Sequence, residues 1–227
     1  MKLLKDTTLH GRWYDDACGT AFGLELIGER WSLLVVRELM LGPRRFSDLR
    51  ASLPSISAKV LTERLAGLEA NGLLRRTTLA ALASVQVYEL TQWGYAAEPL
   101  LQELGRWAAM SSGHDPLLPL SPVSLMLSLR TMFDPEKAVG LEARIGFIVA
   151  GEEFLVETAE GRLPVRRGSS DLGEAVFIAP AAPVLAALLY ADVSVEELEL
   201  DAGLEIRGDR GLAQRFAAMF ELPPKLA

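Results

Sequence analysis

Histidine and cysteine are nearly missing from this 227-residue chain, which holds only His10, His114 and Cys18 of the two types. One cysteine excludes an intramolecular disulfide framework and a multi-cysteine metal site. Ser–His or Cys–His machinery would depend on His10 or His114, both near the ends of expected elements. No His-Glu-x-x-His, P-loop or Gly-x-Gly-x-x-Gly spacing occurs. The carboxylate pairs Glu152-Glu153 and Glu196-Glu197 fall where solvated turns and helix starts are expected. The expectation is a protein that is not an enzyme and carries no metal and no cofactor. Long apolar runs are lacking too. The longest uncharged stretch, Ala175–Ala191, contains Pro180 and Pro183 and lies between Glu174 and Asp192, whereas a bilayer span needs about 20 apolar residues. A buried strand turning into a proline-started helix suits it better. With no apolar leader at the N-terminus, the expectation is a cytoplasmic protein without a membrane partner.

Positive charge is in deficit overall, at net −7, but unevenly. Residues 1–114 carry 13 Lys/Arg against 12 Asp/Glu, residues 115–227 carry 10 against 18, and Arg30–Arg76 alone has 9 basic to 4 acidic. A basic segment inside an acidic chain is the footprint of a nucleic-acid reader joined to a domain with another task. Half of the residues are hydrophobic and mean hydropathy is +0.21, enough for two cores at this length.

The periodicity fits that division. A helical pattern with Ala21, Leu24 and Ile27 on one face precedes a helix over about Arg30–Leu41. There Trp31, Leu34, Val35 and Leu39 point inward, and Arg37 and Glu38 largely outward. Gly42-Pro43 stops it. A short helix over Phe46–Leu53, the turn Pro54-Ser55-Ile56-Ser57 and a helix over about Ala58–Ala70 follow, with Ser57 as N-cap. In the last helix Leu61, Leu65 and Leu68 form one apolar stripe, while Ser57, Lys59, Thr62, Glu63 and Ala66 lie opposite. Asn71-Gly72 ends it. Leu73–Thr78 and Val85–Leu90 read as a hairpin with its tip at Leu79–Ser84. Thr91 then caps a helix running through Leu100, Leu101, Leu104 and Trp107. The order is that of a winged helix-turn-helix, which presents one helix to the major groove of DNA. After a Pro-rich linker from His114 the texture becomes α+β with a mostly antiparallel sheet. Its expected strands are Glu142–Val149, Glu153–Glu160, Arg162–Arg167, Ala175–Ala179 and Gly203–Arg207. Its expected helices are Leu125–Phe133, Ala182–Tyr190, Val195–Leu198 and Leu212–Phe220. The expected domains are residues 1–113 and 114–227.

Within Cys18–Trp107, Leu24-Glu-Leu-Ile-Gly-Glu-Arg-Trp, Arg37-Glu-Leu and Gly42-Pro-Arg-Arg-Phe-Ser-Asp-Leu come in that order. Leu53-Pro-Ser-Ile-Ser, Leu61-Thr-Glu-Arg-Leu, Leu68-Glu-Ala-Asn-Gly-Leu and Tyr88-Glu-Leu-Thr follow. The segment resembles the HxlR-type branch of the MarR-like winged-helix regulators. The resemblance implies a homodimer built through helices at both ends of the module, here Asp16–Gly28 and Thr91–Met110. It also implies a redox-sensitive thiol at Cys18. The wing tip Leu79-Ala-Ala-Leu-Ala-Ser departs from the family, which usually has proline and polar or basic residues there. The second half is similar to the sterol carrier protein type-two fold, chiefly through Gly203–Phe216, a strand passing Gly208-Asp209 into a closing helix. That likeness implies an apolar cavity for a lipid-like molecule.

The expected DNA-binding residues are Ser57, Lys59, Thr62 and Arg64 on the groove-facing helix, with Arg44, Arg45, Arg75 and Arg76, and also Arg50, near phosphates. The DNA would be an inverted-repeat operator read by a two-fold dimer. Met126, Met132, Phe133, Phe147, Phe177, Leu185 and Leu189 are the candidates for an apolar ligand. Two other readings stay open. The chain could be a lipid- or acyl-binding protein whose winged helix serves dimerisation or protein interaction, or the second domain could only strengthen the dimer.

Overall fold

The computed structural model describes residues 14–79, 85–116 and 118–226. The expected wing tip, apart from the backbone of Leu79, and His10 lie outside the described residues. The chain divides into two compact units, one ending at Glu98 and the other beginning at Pro99.

The first unit runs α1 (Gly19–Ile27), α2 (Ser32–Leu39), α3 (Phe46–Ser52), α4 (Ala58–Ala70), β1 (Leu74–Leu79), β2 (Val85–Leu90) and α5 (Gln92–Tyr95). Helix α4 forms where its sequence signals put it. The Ser57 hydroxyl accepts the Val60 N–H at 3.2 Å, closing one of the four donors a helix N-terminus leaves open. Leu61, Leu65 and Leu68 are at most 1% exposed, and the helix packs on α2 and β1. Gly72, at φ +75°, supplies the left-handed turn after the helix, and the Leu73 N–H returns to the Leu68 carbonyl at 3.0 Å. Strands β1 and β2 pair antiparallel from Leu74↔Leu90 to Leu79↔Val85. Arg44 adds a bridge to Tyr88 on the far side of β2, so the wing base is three strands wide at that point.

Three expectations are corrected in this half. Helix α2 is shorter at both ends than Arg30–Leu41, because Trp31 takes a left-handed φ of +80° and Gly42, at φ +113°, follows the turn at its end. Glu38 is fully buried rather than outward; its carboxylate takes the Arg37 Nε and Nη2 at 3.0 and 2.8 Å. The helix expected after Thr91 is two pieces, α5 and α6 (Glu98–Ala109). Pro99 has no N–H to give the carbonyl four residues back and fits only in the first turn of a helix, so the chain restarts there.

The second unit holds α6, α7 (Pro122–Met132), β3 (Ala143–Val149), β4 (Glu152–Thr158), β5 (Val165–Arg167), the 3₁₀ turn Ser170–Leu172, β6 (Ala175–Ala179), α8 (Ala182–Tyr190), α9 (Val195–Asp201), β7 (Glu205–Gly208) and α10 (Arg210–Ala217). Its sheet has the order β5-β4-β3-β6-β7. Only β3 and β6 are parallel; the other three pairs are antiparallel. Helix α7 packs by β5, α8 by β6, and α10 by β6 and β7. Helix α6 is tied into this unit by the chain's last residues. Lys225 Nζ donates to the carbonyls of Ala109, Ser111 and His114 at 3.0–3.1 Å, and the Leu226 N–H to that of Met110 at 2.8 Å. A cation on carbonyls at a helix C-terminus also meets the negative end of its dipole.

Candidate nucleic-acid interface

The turn between α3 and α4 is anchored by Leu53 and Ile56, both buried, and leaves Pro54, Ser55 and Ser57 exposed. From there the outer face of α4 presents Lys59, Thr62, Glu63 and Ala66, all exposed. The side chains are short or unbranched, so a groove wall can approach the helix closely. Thr62 Oγ1 donates to the Ala58 carbonyl at 2.9 Å, which fixes the rotamer and leaves the oxygen's lone pairs outward. Lys59 forms no ion pair or hydrogen bond among the described residues. Arg45 and Arg50 are exposed as well, with no ion pair among those residues.

The other expected contacts are already engaged within the fold. Arg64 is held 2.8 Å from Glu29 and 3.8 Å from Glu63. Arg75 puts both Nε and Nη2 on Glu89, at 3.0 and 2.8 Å. Arg76 reaches Glu69 at 3.2 Å and lies over the Tyr88 ring. Arg44 is 8% exposed, exchanges both backbone hydrogen bonds with Tyr88, and donates from Nη2 to Ser52 Oγ at 3.1 Å. It is part of the wing base, away from the surface where the sequence reading put it. Exposed pairs such as Arg75–Glu89 contribute about 0–1 kcal/mol, so a phosphate can compete for them; Arg44 has no such freedom.

The sequence reading missed what holds α4 in place. Asn71, read only as a helix stop, donates from Nδ2 to the Leu26 carbonyl at 3.0 Å, and Arg64 pairs with Glu29. Thus α4 is tied from two points to the end of α1 and the turn behind it. Charge signs could have suggested the second contact, but nothing in the sequence shows the first.

Cys18 is exposed at the N-cap of α1. The backbone N–H groups of Thr20 and Ala21 and the Thr20 hydroxyl, all beside the sulfur at the start of the helix, favour the thiolate and hold the thiol below the usual range.

In the second unit, Met126, Leu185, Phe147, Phe177, Leu189 and Met132 are buried and Phe133 is half-buried. The structure brings Phe147 and Phe177 together as a stacked pair 5.2 Å apart, with Phe216 at 5.9 and 6.2 Å from them. Phe133 meets Phe220 at 6.4 Å. Phe154, Phe216 and Phe220, all buried here, were not among the candidates for an apolar ligand. Tyr190 and Ser128 share a 2.8 Å hydrogen bond between α8 and α7, and burial holds the Tyr190 hydroxyl well above the usual phenol range. Among the described residues no group of three or more His, Cys, Asp or Glu is placed to hold a metal ion. No helix among them is long and apolar enough to cross a membrane.

A helix-turn-helix followed by a two-stranded wing, with one leucine-backed helix exposing a short polar face, defines the winged helix-turn-helix class of transcriptional regulators. Residues 26–115 match the HxlR-like helix-turn-helix family. The chain is 38% identical over 85 residues to the HTH-type transcriptional regulator YvaP of Bacillus subtilis (strain 168), covering 37% of this chain and 79% of that one. It is 40% identical over 83 residues to the transcriptional regulator YodB of the same organism, covering 37% and 74%. The solved structure of the reduced form of Bacillus subtilis YodB aligns with 34% identity and a TM-score of 0.39, over 44% of this chain and all of that one. The chain belongs to the HxlR-like helix-turn-helix family.

Proposed function

We propose that this protein is a homodimeric, sequence-specific regulator that reads an inverted-repeat DNA operator with α4 and senses an apolar small molecule with its second domain. The observation that carries the DNA reading is the outer face of α4, with Ser57, Lys59 and Thr62 exposed opposite a sealed leucine stripe. Lys59, Arg45 and Arg50 reach phosphates directly; Arg64, Arg75 and Arg76 do so after leaving Glu29, Glu89 and Glu69. Dimerisation is supported by large apolar side chains left open on α1 (Leu24) and on α6 (Leu100, Leu104, Trp107). Functionally, residues 1–113 form the DNA-binding and dimerisation domain and residues 114–227 the sensor. Helix α6 serves the first although it packs with the second.

The sensor reading is supported by the sheet with helices α8 and α10 against β6, and by the strand that passes Gly208-Asp209 into α10, as in the sterol-carrier-like pattern. A ligand acts there only by binding DNA-competent and incompetent dimers with different affinity. Cys18 offers a second input, since its exposed thiol with a depressed pKa reacts readily with oxidants and electrophiles. The test is selection of fragmented genomic DNA by the purified protein beside a Lys59/Thr62/Arg64 triple-alanine variant. Recovery of a shared near-palindrome by the wild type alone is the expected result. Equal recovery by both sinks the docking of α4.

A further inference from the structure

Strand register sets five side chains in one row across the inner face of the second unit's sheet, one from each strand. They are Ile206 of β7, Phe177 of β6, Phe147 of β3, Phe154 of β4 and Arg167 of β5. Residues directly paired between neighbouring strands share a face, so the row is apolar for four strands and ends in a guanidinium on the edge strand. Phe147 and Phe177 stack, and the Arg167 guanidinium carbon lies over the Phe154 ring, 4.9 Å from its centre. Arg167 Nη1 is ion-paired with Glu152. Its other edge, Nε and Nη2, is closed off from solvent and meets no acceptor among the described residues.

That edge is the fork by which arginine takes a carboxylate in two parallel bonds. Three other arginines fill it: Arg37 on Glu38, Arg75 on Glu89, and Arg207 on Glu205 at 2.7 and 3.3 Å, whereas Arg167 leaves both of its atoms without an acceptor among the described residues. A fork withdrawn from water and left empty is destabilising. An inward charge on an edge strand also deters pairing with a second sheet, but that task requires only the charge. It does not call for a fork held out of water at the end of an aromatic row.

We propose that Arg167 is the head-group site for an amphipathic carboxylate of the fatty-acid class. The carboxylate docks on Nε and Nη2 while Glu152 keeps Nη1 and fixes the guanidinium plane, and the tail follows the row toward Phe154, Phe147 and Phe177. The inference rests on the reading of this domain as an apolar-ligand sensor and adds the charge that the ligand carries. A local cation is needed here, because residues 115–227 are net negative and would otherwise repel an acid. Since the fork is covered in the present state, the ligand selects a conformer in which it is open. That difference is what a sensor must have to act on DNA binding.

The experiment is calorimetric titration of the full chain with decanoate and, separately, with 1-decanol, for the wild type, Arg167→Gln and Arg167→Lys. The wild type is expected to bind the acid at least about tenfold more tightly than the alcohol, the size of a charge-assisted contact. Arg167→Gln removes that preference, and Arg167→Lys keeps part of it. Circular dichroism and the urea midpoint report whether the variants fold; the wild-type ratio of acid to alcohol stands without them. Equal binding of acid and alcohol by the wild type overturns the Arg167 site but leaves an apolar sensor standing. Binding of neither overturns both. An acid preference that survives in Arg167→Gln, with aggregation as the variant's only change, assigns Arg167 to edge protection and overturns the proposal.

Discussion

Lys59 and Arg44 were placed on the same DNA-facing surface from sequence, and the fold gives them opposite roles. Lys59 stands free on α4, so Lys59→Ala should flatten the log–log salt dependence of DNA binding by about 1.8, the value of two neutralised phosphates, one from each copy of a dimer. Arg64→Ala should flatten it less, because Arg64 must first leave Glu29. An unchanged slope for Lys59→Ala would count against the groove docking. Arg44→Ala should instead lower stability in urea by about 1–3 kcal/mol, the usual cost of stripping a buried polar group from its partners. Both are charged residues near turns, and their difference arises from the Arg44–Tyr88 bridge, a contact across 44 positions that local pattern does not encode. Cys18 can be tested in the same way. The N–H groups at the start of α1 hold its thiol below the usual range, so alkylation by iodoacetamide should rise with pH earlier than for a free cysteine peptide. Coincident pH profiles would show that α1 does nothing for this thiol.

Elements were legible where one local rule sufficed. Ser57 and Gly72 bracket α4 as caps, and leucine spacing gave its buried side. Ser57→Ala should therefore cost about 1 kcal/mol, and Gly72→Ala about 1–2 kcal/mol because of its positive φ, both measured by chemical denaturation. If both changes proved neutral, the helix would be held by packing alone. Three strands of the second unit, Glu142–Val149, Glu153–Glu160 and Arg162–Arg167, were likewise visible as two-residue alternation, each within a few residues of its observed ends. What local rules missed were competitions between them. Trp31 sits in a helical pattern yet takes a left-handed backbone, and Glu38 is charged yet fully buried beside Arg37. The parallel pairing of β3 with β6 depends on a crossover through the 3₁₀ turn, which periodicity cannot order. The candidate ligand residues were found as apolar positions, but Arg167 was not. Only the register that sets it beside Phe154 makes it more than a surface arginine.

At the scale of the whole molecule, α6 poses the question of assembly. Leu100, Leu104 and Trp107 follow at i, i+4 and i+7, one face of a helix, and that face is open to solvent, with Trp107 at 71% exposure. Covering each such side chain is worth about 1.5–3 kcal/mol, so a second copy of the chain has a ready driving force. A two-fold dimer would also present two α4 helices to two half-sites, which a single copy cannot do. The expected outcome for Leu104→Glu with Trp107→Glu is loss of the dimer in sedimentation velocity, leaving a species of 24.7 kDa. The fold should survive, because neither side chain is in the core of one chain. Affinity for the full inverted repeat should fall by orders of magnitude, while binding to an isolated half-site changes little, since α4 is untouched. A variant that remains dimeric would move the interface away from α6. A monomeric variant that still held the full repeat tightly would show that pairing of two copies is not what reads the operator.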